Sequence, residues 1–111
     1  MNFNINRIKE ITIIKVNESK LYLEKSELFK QTLMEVISKG NHKLVVDLSK
    51  VTVINSTGLG ALFLALYKVK DKGGDIKVVG LQPLVKEIFD RMKLNLIYSL
   101  FNSTDEAVKS F

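Results

Sequence analysis

The sequence has no cysteine. That excludes a disulfide framework, thiolate zinc sites and thiol catalysis, and it fits a reducing compartment. There is one histidine, His42, in a polar turn, "KGNHK". Metal and catalytic sites need several converging groups, so a lone loop histidine reads as a surface residue. No apolar run approaches the roughly 20 residues that span a bilayer. The opening "MNFNINRIKE" is polar and alternating, unlike a signal peptide. These absences predict a soluble, cytoplasmic protein. The net charge is +5, yet the basic residues are scattered. They form no dense Lys/Arg cluster and have no stacking aromatics among them, which argues against a nucleic-acid partner. Linkers, low-complexity segments and internal repeats are also missing.

What remains is a chain of 111 residues, 46% of them hydrophobic. That suits one domain over 1–111, with a core that needs no metal or disulfide. Phe3 and Ile5 alternate with Asn4 and Asn6, as in a half-buried strand. "ITIIKV" (11–16) is β-branched and makes a second strand. A very short turn joins the two, so they pair antiparallel at a sheet edge. A helix is predicted near 25–38, with Leu28, Phe29, Leu33, Val36 and Ile37 on one side. Ser26 is an alternative N-cap for it, and Gly40 stops it. "KLVVDL" (43–48) is near-continuously apolar, as in a central strand buried on both faces. A short extended piece covers 51–54.

A second helix runs over about 57–71 and stops at Gly73 and Gly74. A strand follows near 76–80. Pro83 suits the first turn of a third helix, with Leu84, Val85, Ile88, Phe89 and Met92 opposite Lys86, Glu87, Asp90 and Lys93. A short strand is expected near 97–101. Ser103 or Thr104 then caps a last helix that turns Ala107, Val108 and Phe111 inward. Strands alternating with helices predict an α/β domain with a mixed sheet.

"VINSTGLGALF" (53–63) stands apart. It starts like a buried strand and ends like a helix, with two hydroxyls and two glycines between. Three readings are open. Ser56 or Thr57 is an N-cap, with Gly58 and Gly60 letting the helix pack closely on the strand. Alternatively the junction binds a phosphate through free N–H groups, although "GLG" lacks a third glycine and no P-loop lysine follows. Or the Ser56 hydroxyl is itself a substrate, at a positive helix end that tolerates an added phosphate.

The stretch from Lys43 to Val108 resembles the STAS-domain anti-sigma factor antagonists of bacteria. The resemblance is carried by "VVDLS", by "STGLG", by the Gly-Gly before the next strand and by "LNLIYSLFNSTDEAV". It implies a STAS-type α/β fold. It also implies that the regulatory serine, the first hydroxyl of an Asp-Ser-Ser/Thr-Gly turn, is Ser56, followed by Thr57. The sequence departs from the family at Asn55, where the family carries Asp. Asp47 matches a family Asp at the end of the central strand; a short acceptor there satisfies neighbouring turn N–H groups.

The resemblance implies a regulatory module rather than an enzyme, with no cofactor or metal of its own. Unphosphorylated, it would bind an anti-sigma factor with serine-kinase activity; phosphorylated at Ser56, it would release that partner. The alternative is a STAS docking subunit of a lipid ABC transporter or another assembly, never phosphorylated. The expected partner-binding residues are Asn55, Ser56, Thr57, Gly58, Leu59, Ala61 and Leu64. Helical spacing turns Leu59, Leu62, Phe63, Leu66 and Val69 to the core. It leaves Ala61, Leu64, Ala65 and Lys68 as a small apolar docking patch.

Overall fold

The computed structural model describes residues 2–111. In chain order the elements are β1 (Phe3–Ile8), β2 (Ile11–Val16), β3 (Lys20–Leu21), α1 (Glu24–Ser38), β4 (Lys43–Asp47), β5 (Val53–Ile54), α2 (Ser56–Asp71), β6 (Asp75–Val79), α3 (Pro83–Arg91), β7 (Ser99–Phe101) and α4 (Thr104–Lys109). A 3-10 turn, Leu94–Leu96, precedes β7. The main sheet has the order β1-β2-β4-β6-β7. β1 runs antiparallel to β2, and the other pairs are parallel. β3 and β5 form a separate parallel pair, with Lys20 beside Val53 and Leu21 beside Ile54.

β4 is the centre, as its unbroken apolar run predicts. Leu44 through Leu48 are buried. Leu44 and Val46 enter the large core shared with α1, α2 and α3. Val45 faces a smaller cluster on the other side of the sheet, with Ile11, Ile13, Val79 and Ala107 of α4. Gly40, at φ 95°, ends α1 in a conformation that favours glycine. Gly74 is required for a different reason: a Cβ there would lie 1.9 Å from the His42 carbonyl oxygen. Among the described residues no helix is long and apolar enough to cross a membrane.

Several expectations are corrected. β1 buries Phe3 but leaves Ile5 exposed, because it is an edge strand at the rim of the helical layer. Ser26 does not cap α1. The helix begins at Glu24, after Leu23 at φ 53°, and Ser26 donates its hydroxyl back to the Leu23 carbonyl at 2.6 Å. The expected strand near 97–101 shortens to three residues, because Leu94–Leu96 coil first. β3 was not anticipated; two residues carry no period. α3 buries Val85 and Phe89 and half-buries Ile88, but Leu84 and Met92 are exposed. A nine-residue helix with one neighbouring layer covers a narrower stripe than its apolar face offers. At the C-terminus Ser103 caps α4, accepting from Glu106 N at 3.2 Å. Phe111 is not turned inward; its exposed ring lies under the Lys77 ammonium, 4.8 Å from the centroid.

Phe89 and Tyr98 pack ring against ring, with centroids 5.9 Å apart. The Tyr98 hydroxyl is buried and has no hydrogen-bond partner among the described residues. Burial pushes its pKa well above the ordinary tyrosine value, and the Asp75 carboxylate adds to the shift. The two rings give opposite expectations. Phe89→Ala should cost about 3–5 kcal/mol in a urea titration, as a fully buried ring does. Tyr98→Phe should hold or raise stability by up to about 1 kcal/mol, since it removes an orphaned buried polar group. A large loss on Tyr98→Phe in the same titration would mean that the hydroxyl has a partner.

Candidate functional site

The junction between β5 and α2 is built around Asn55. Its backbone is extended, φ −94° and ψ 179°, and its side-chain oxygen accepts from Gly58 N at 2.9 Å. That makes Asn55 the N-cap of α2 and corrects the expectation that Ser56 or Thr57 holds that place. Asparagine competes well for a cap because its short side chain reaches the free N–H groups of the first turn. The Asn55 carbonyl accepts from Leu59 N at 3.0 Å, and its N–H donates to the Leu21 carbonyl at 3.1 Å.

The other half of the Asn55 amide is also used. Nδ2 donates to Ser26 Oγ at 3.2 Å. Ser26 is buried, and its proton already goes to Leu23 O. Ser26 therefore has only an acceptor to offer. An amide satisfies it, whereas a carboxylate at 55 would have no proton to give. This accounts physically for asparagine where aspartate was expected. Sequence reasoning missed Ser26 as part of the site; the departure at Asn55 was the available signal, because Asn for Asp exchanges an acceptor for a donor.

With the cap taken by Asn55, both hydroxyls are free of it. Ser56 is the first residue of α2 and is exposed; Thr57 is half-buried. Among the described residues no other group accepts from the Ser56 or Thr57 backbone N–H. The helix end thus presents an exposed hydroxyl beside unpaired donors, with the positive end of the helix dipole behind it. Gly58 is buried, and a Cβ there would meet Ile54 Cγ1 at 2.9 Å. Gly60 differs from the expectation that both glycines pack on the strand. It is exposed, and a Cβ there would meet nothing within 4 Å.

Asp47 is buried, and its Oδ1 accepts from Ser49 N at 2.9 Å. That is the turn-satisfying role the sequence suggested. Ser49 O in turn accepts from Gln82 Nε2 at 2.7 Å, which ties the end of β4 to the start of α3.

The docking patch expected on α2 is corrected. Ala61 is 1% exposed and Ala65 0%; Gly58 and Leu59 are buried too, and Leu64 is half-buried. Phe63, assigned to the core, is 58% exposed. The reason is that α2 packs against both α1 and β6. Its buried arc is therefore wide, and small alanines belong to it. Of the residues expected to meet a partner, Ser56 is exposed, and Asn55, Thr57 and Leu64 are partly so. Among the described residues no group of three or more His, Asp or Glu could hold a metal ion. A groove of about 260 Å³ between β5 and α3, walled by Val53, Leu84 and Ile88, lies on the N-terminal side of the turn.

The Asn55–Ser26 bond predicts coupled stabilities. Asn55→Ala should cost about 1–2 kcal/mol through the lost cap and the orphaned Ser26 acceptor, and Ser26→Ala about 1 kcal/mol. In the Asn55→Ala background, Ser26→Ala should cost less than in the wild type, since only its bond to the Leu23 carbonyl is then left to lose. Strictly additive losses across that double-mutant cycle, read by urea unfolding, would show the bond to be idle.

A STAS domain family model matches residues 2–107. The chain is 28% identical over 104 residues to a candidate anti-sigma factor antagonist of Thermotoga neapolitana, covering 93% of this chain and 92% of the relative. The crystal structure of a candidate anti-sigma factor antagonist from Thermotoga maritima superposes with a TM-score of 0.88 at 24% identity, over 97% of this chain and 92% of that one. SpoIIAA of Bacillus, an anti-sigma factor antagonist solved in unphosphorylated and phosphorylated forms, shares the fold with TM-scores of 0.76 and 0.78. Each form is 14% identical, with 97% of this chain covered and 94% and 97% of those chains.

Proposed function

The chain belongs to the STAS domain family, and from that premise we propose that it is an anti-sigma factor antagonist switched by phosphorylation of Ser56. Unphosphorylated, it docks on an anti-sigma factor and so frees the sigma factor that the partner held. The partner's serine-kinase activity then transfers the γ-phosphoryl group of ATP to Ser56 Oγ; ADP leaves, and the hydroxyl proton passes to the kinase. The modified protein lets go. The protein itself is a binding module and not an enzyme, the nucleotide and its metal belong to the kinase, and the place of action is the cytoplasm, where transcription runs.

The observation that carries this reading is the division of labour between Asn55 and Ser56. Asn55 takes the cap, so the exposed Ser56 hydroxyl is not needed to start the helix. A phosphate there adds about −1.5 to −2 charges near pH 7. It lies against the positive end of α2 and unpaired N–H groups, so the fold tolerates it. A partner seated on the turn would have to desolvate that charge against a surface shaped for a hydroxyl. The switch thus acts on binding and not on shape. SpoIIAA, which shares the fold, is known in a phosphorylated form, in keeping with a fold that carries such a charge.

The experiment is incubation with a candidate anti-sigma kinase and ATP, site mapping by mass spectrometry, and partner affinity before and after. Phosphorylation is expected on Ser56 and not Thr57, with an unchanged melting curve and weakened binding. Ser56→Ala should bind without being modified. Ser56→Asp should imitate the released state only in part, since it carries one charge and fewer acceptor oxygens. Binding that is tight and indifferent to phosphorylation would sink the switch and favour an unmodified docking subunit.

A further inference from the structure

The basic residues are scattered along the sequence, but the fold gathers four of them at one pole. The turn between β1 and β2, the loop after α1 and the loop after α2 meet where β4 and β6 begin. Between them lies a cleft of about 320 Å³, walled by Arg7, Glu10, His42, Lys43 and Lys72. The rest of its wall is three glycines and an asparagine, with no aliphatic, phenylalanine or tyrosine side chain. The loops are tied to one another. Asp75 N–H donates to the His42 carbonyl at 3.0 Å, and a Cβ on Gly74 would collide with that same carbonyl. Backbone packing therefore shapes the cleft, and its charged side chains are not needed to hold it open.

Those side chains are under-used. Among the described residues neither Arg7 nor Lys72 meets a carboxylate. Arg7 makes one long bond, 3.4 Å, to the Lys9 carbonyl. Lys43 gives one hydrogen bond to Glu10 at 3.0 Å and has further N–H groups to give. The His42 backbone N–H meets no acceptor among the described residues. The other nearby carboxylates are placed elsewhere. Asp75 is taken by Lys70 at 3.3 Å and Lys77 at 3.8 Å, and Asp71 lines the adjoining depression with Lys68.

The ends of α1 and α2 account for part of this charge, because cations suit a helix C-terminus. Yet the Gly40, Asn41 and Gly74 N–H groups already donate to the last carbonyls, those of Ile37, Val36 and Val69. Arg7, Lys43 and Lys72 bring three positive charges to the cleft, and Glu10 offsets one. Each helix end offsets about half a charge more. A net excess of about one positive charge is left, with hydrogen-bond donors around it.

We propose that this cleft binds a small, multiply charged oxyanion of the phosphate class, held by Arg7, Lys43, Lys72 and the His42 N–H. Charge-assisted hydrogen bonds are what the wall offers; an acyl chain or other apolar group would find nothing to pack on. Free phosphate or pyrophosphate and a phospholipid headgroup share that chemistry. The cleft lies at the end of α2 opposite Ser56, roughly 24 Å away at ~1.5 Å per residue. It is separate from the phosphorylation switch, and either can fail without the other.

The probe is pyrophosphate, titrated at constant ionic strength into ¹⁵N-labelled protein. Saturable shifts are expected at the amides of His42, Gly73 and Gly74, with a rise in melting temperature. Arg7→Gln/Lys72→Gln should bind about tenfold or more weakly. Lys30→Gln/Lys86→Gln, at exposed positions of α1 and α3, removes the same charge and should bind like wild type. If Arg7→Gln/Lys72→Gln melts below that control, Lys72→Gln alone decides. Sedimentation with phosphatidylglycerol vesicles separates the sources. Saturable pyrophosphate binding without sedimentation assigns a free anion. Sedimentation that Arg7→Gln/Lys72→Gln loses and Lys30→Gln/Lys86→Gln keeps assigns a headgroup. Absence of a saturable response to either probe, or equal weakening in both double variants, would overturn the site and leave the switch standing.

Discussion

The start of α2 depends on one side chain that both gives and accepts. Asn55 is held through its backbone N–H to Leu21 and its backbone carbonyl to Leu59. Its side-chain oxygen receives from Gly58 and its nitrogen gives to Ser26. These four bonds join the β3–β5 pair, the first turn of α1 and the first turn of α2. The β3–β5 pair is only two residues deep and would hold little alone. Asn55 anchors it to two helices, and so fixes where Ser56 leaves the strand and enters the helix. The electrostatics follow from the same choice. An aspartate would bring a charge to the cap and would need the Ser26 proton, which Leu23 already holds. Asparagine keeps the turn neutral and lets Ser26 stay bonded.

α2 shows how one helix can serve three surroundings. It meets α1 and β6 inside the fold, and a third face is left to solvent. The inner arc uses leucines, Val69 and the two alanines. The outer face carries Phe63, which is as apolar as anything inside, and the amphipathic Tyr67. Hydrophobicity therefore does not distinguish the inner from the outer side of this helix, and its mean composition favours burial all round.

That is also why the sequence was legible in some places and not in others. β4 was readable because a run buried on both faces needs no period. Gly40, Pro83 and Ser103 were readable because a positive φ, a first helical position and a cap each select a residue type by local geometry. The side of α2 was not readable, because a 100° pattern assumes one buried stripe and this helix has a wider one. Phe63 and Ala61 exchanged places for that reason. Ser26 and Asn55 were not readable as a pair either. They lie 29 residues apart, and their bond depends on which proton Ser26 has already given away, a matter of tertiary geometry. The exposure of Leu84 and Met92 belongs to the same class, since α3 has fewer neighbours than its apolar face could cover.

The neutral cap would set the contrast of the proposed switch. With aspartate at residue 55, the unmodified helix end would already carry a carboxylate that offsets part of the helix dipole. With Asn55 it carries none, and a phosphate on Ser56 would be the only anion on that end. The surface then changes from uncharged over Asn55–Tyr67 to one bearing nearly two negative charges. Burial would discriminate between these two states, because an uncharged surface loses far less on desolvation than a dianion. The same Asn55 amide that takes the cap therefore also keeps the unmodified helix end uncharged.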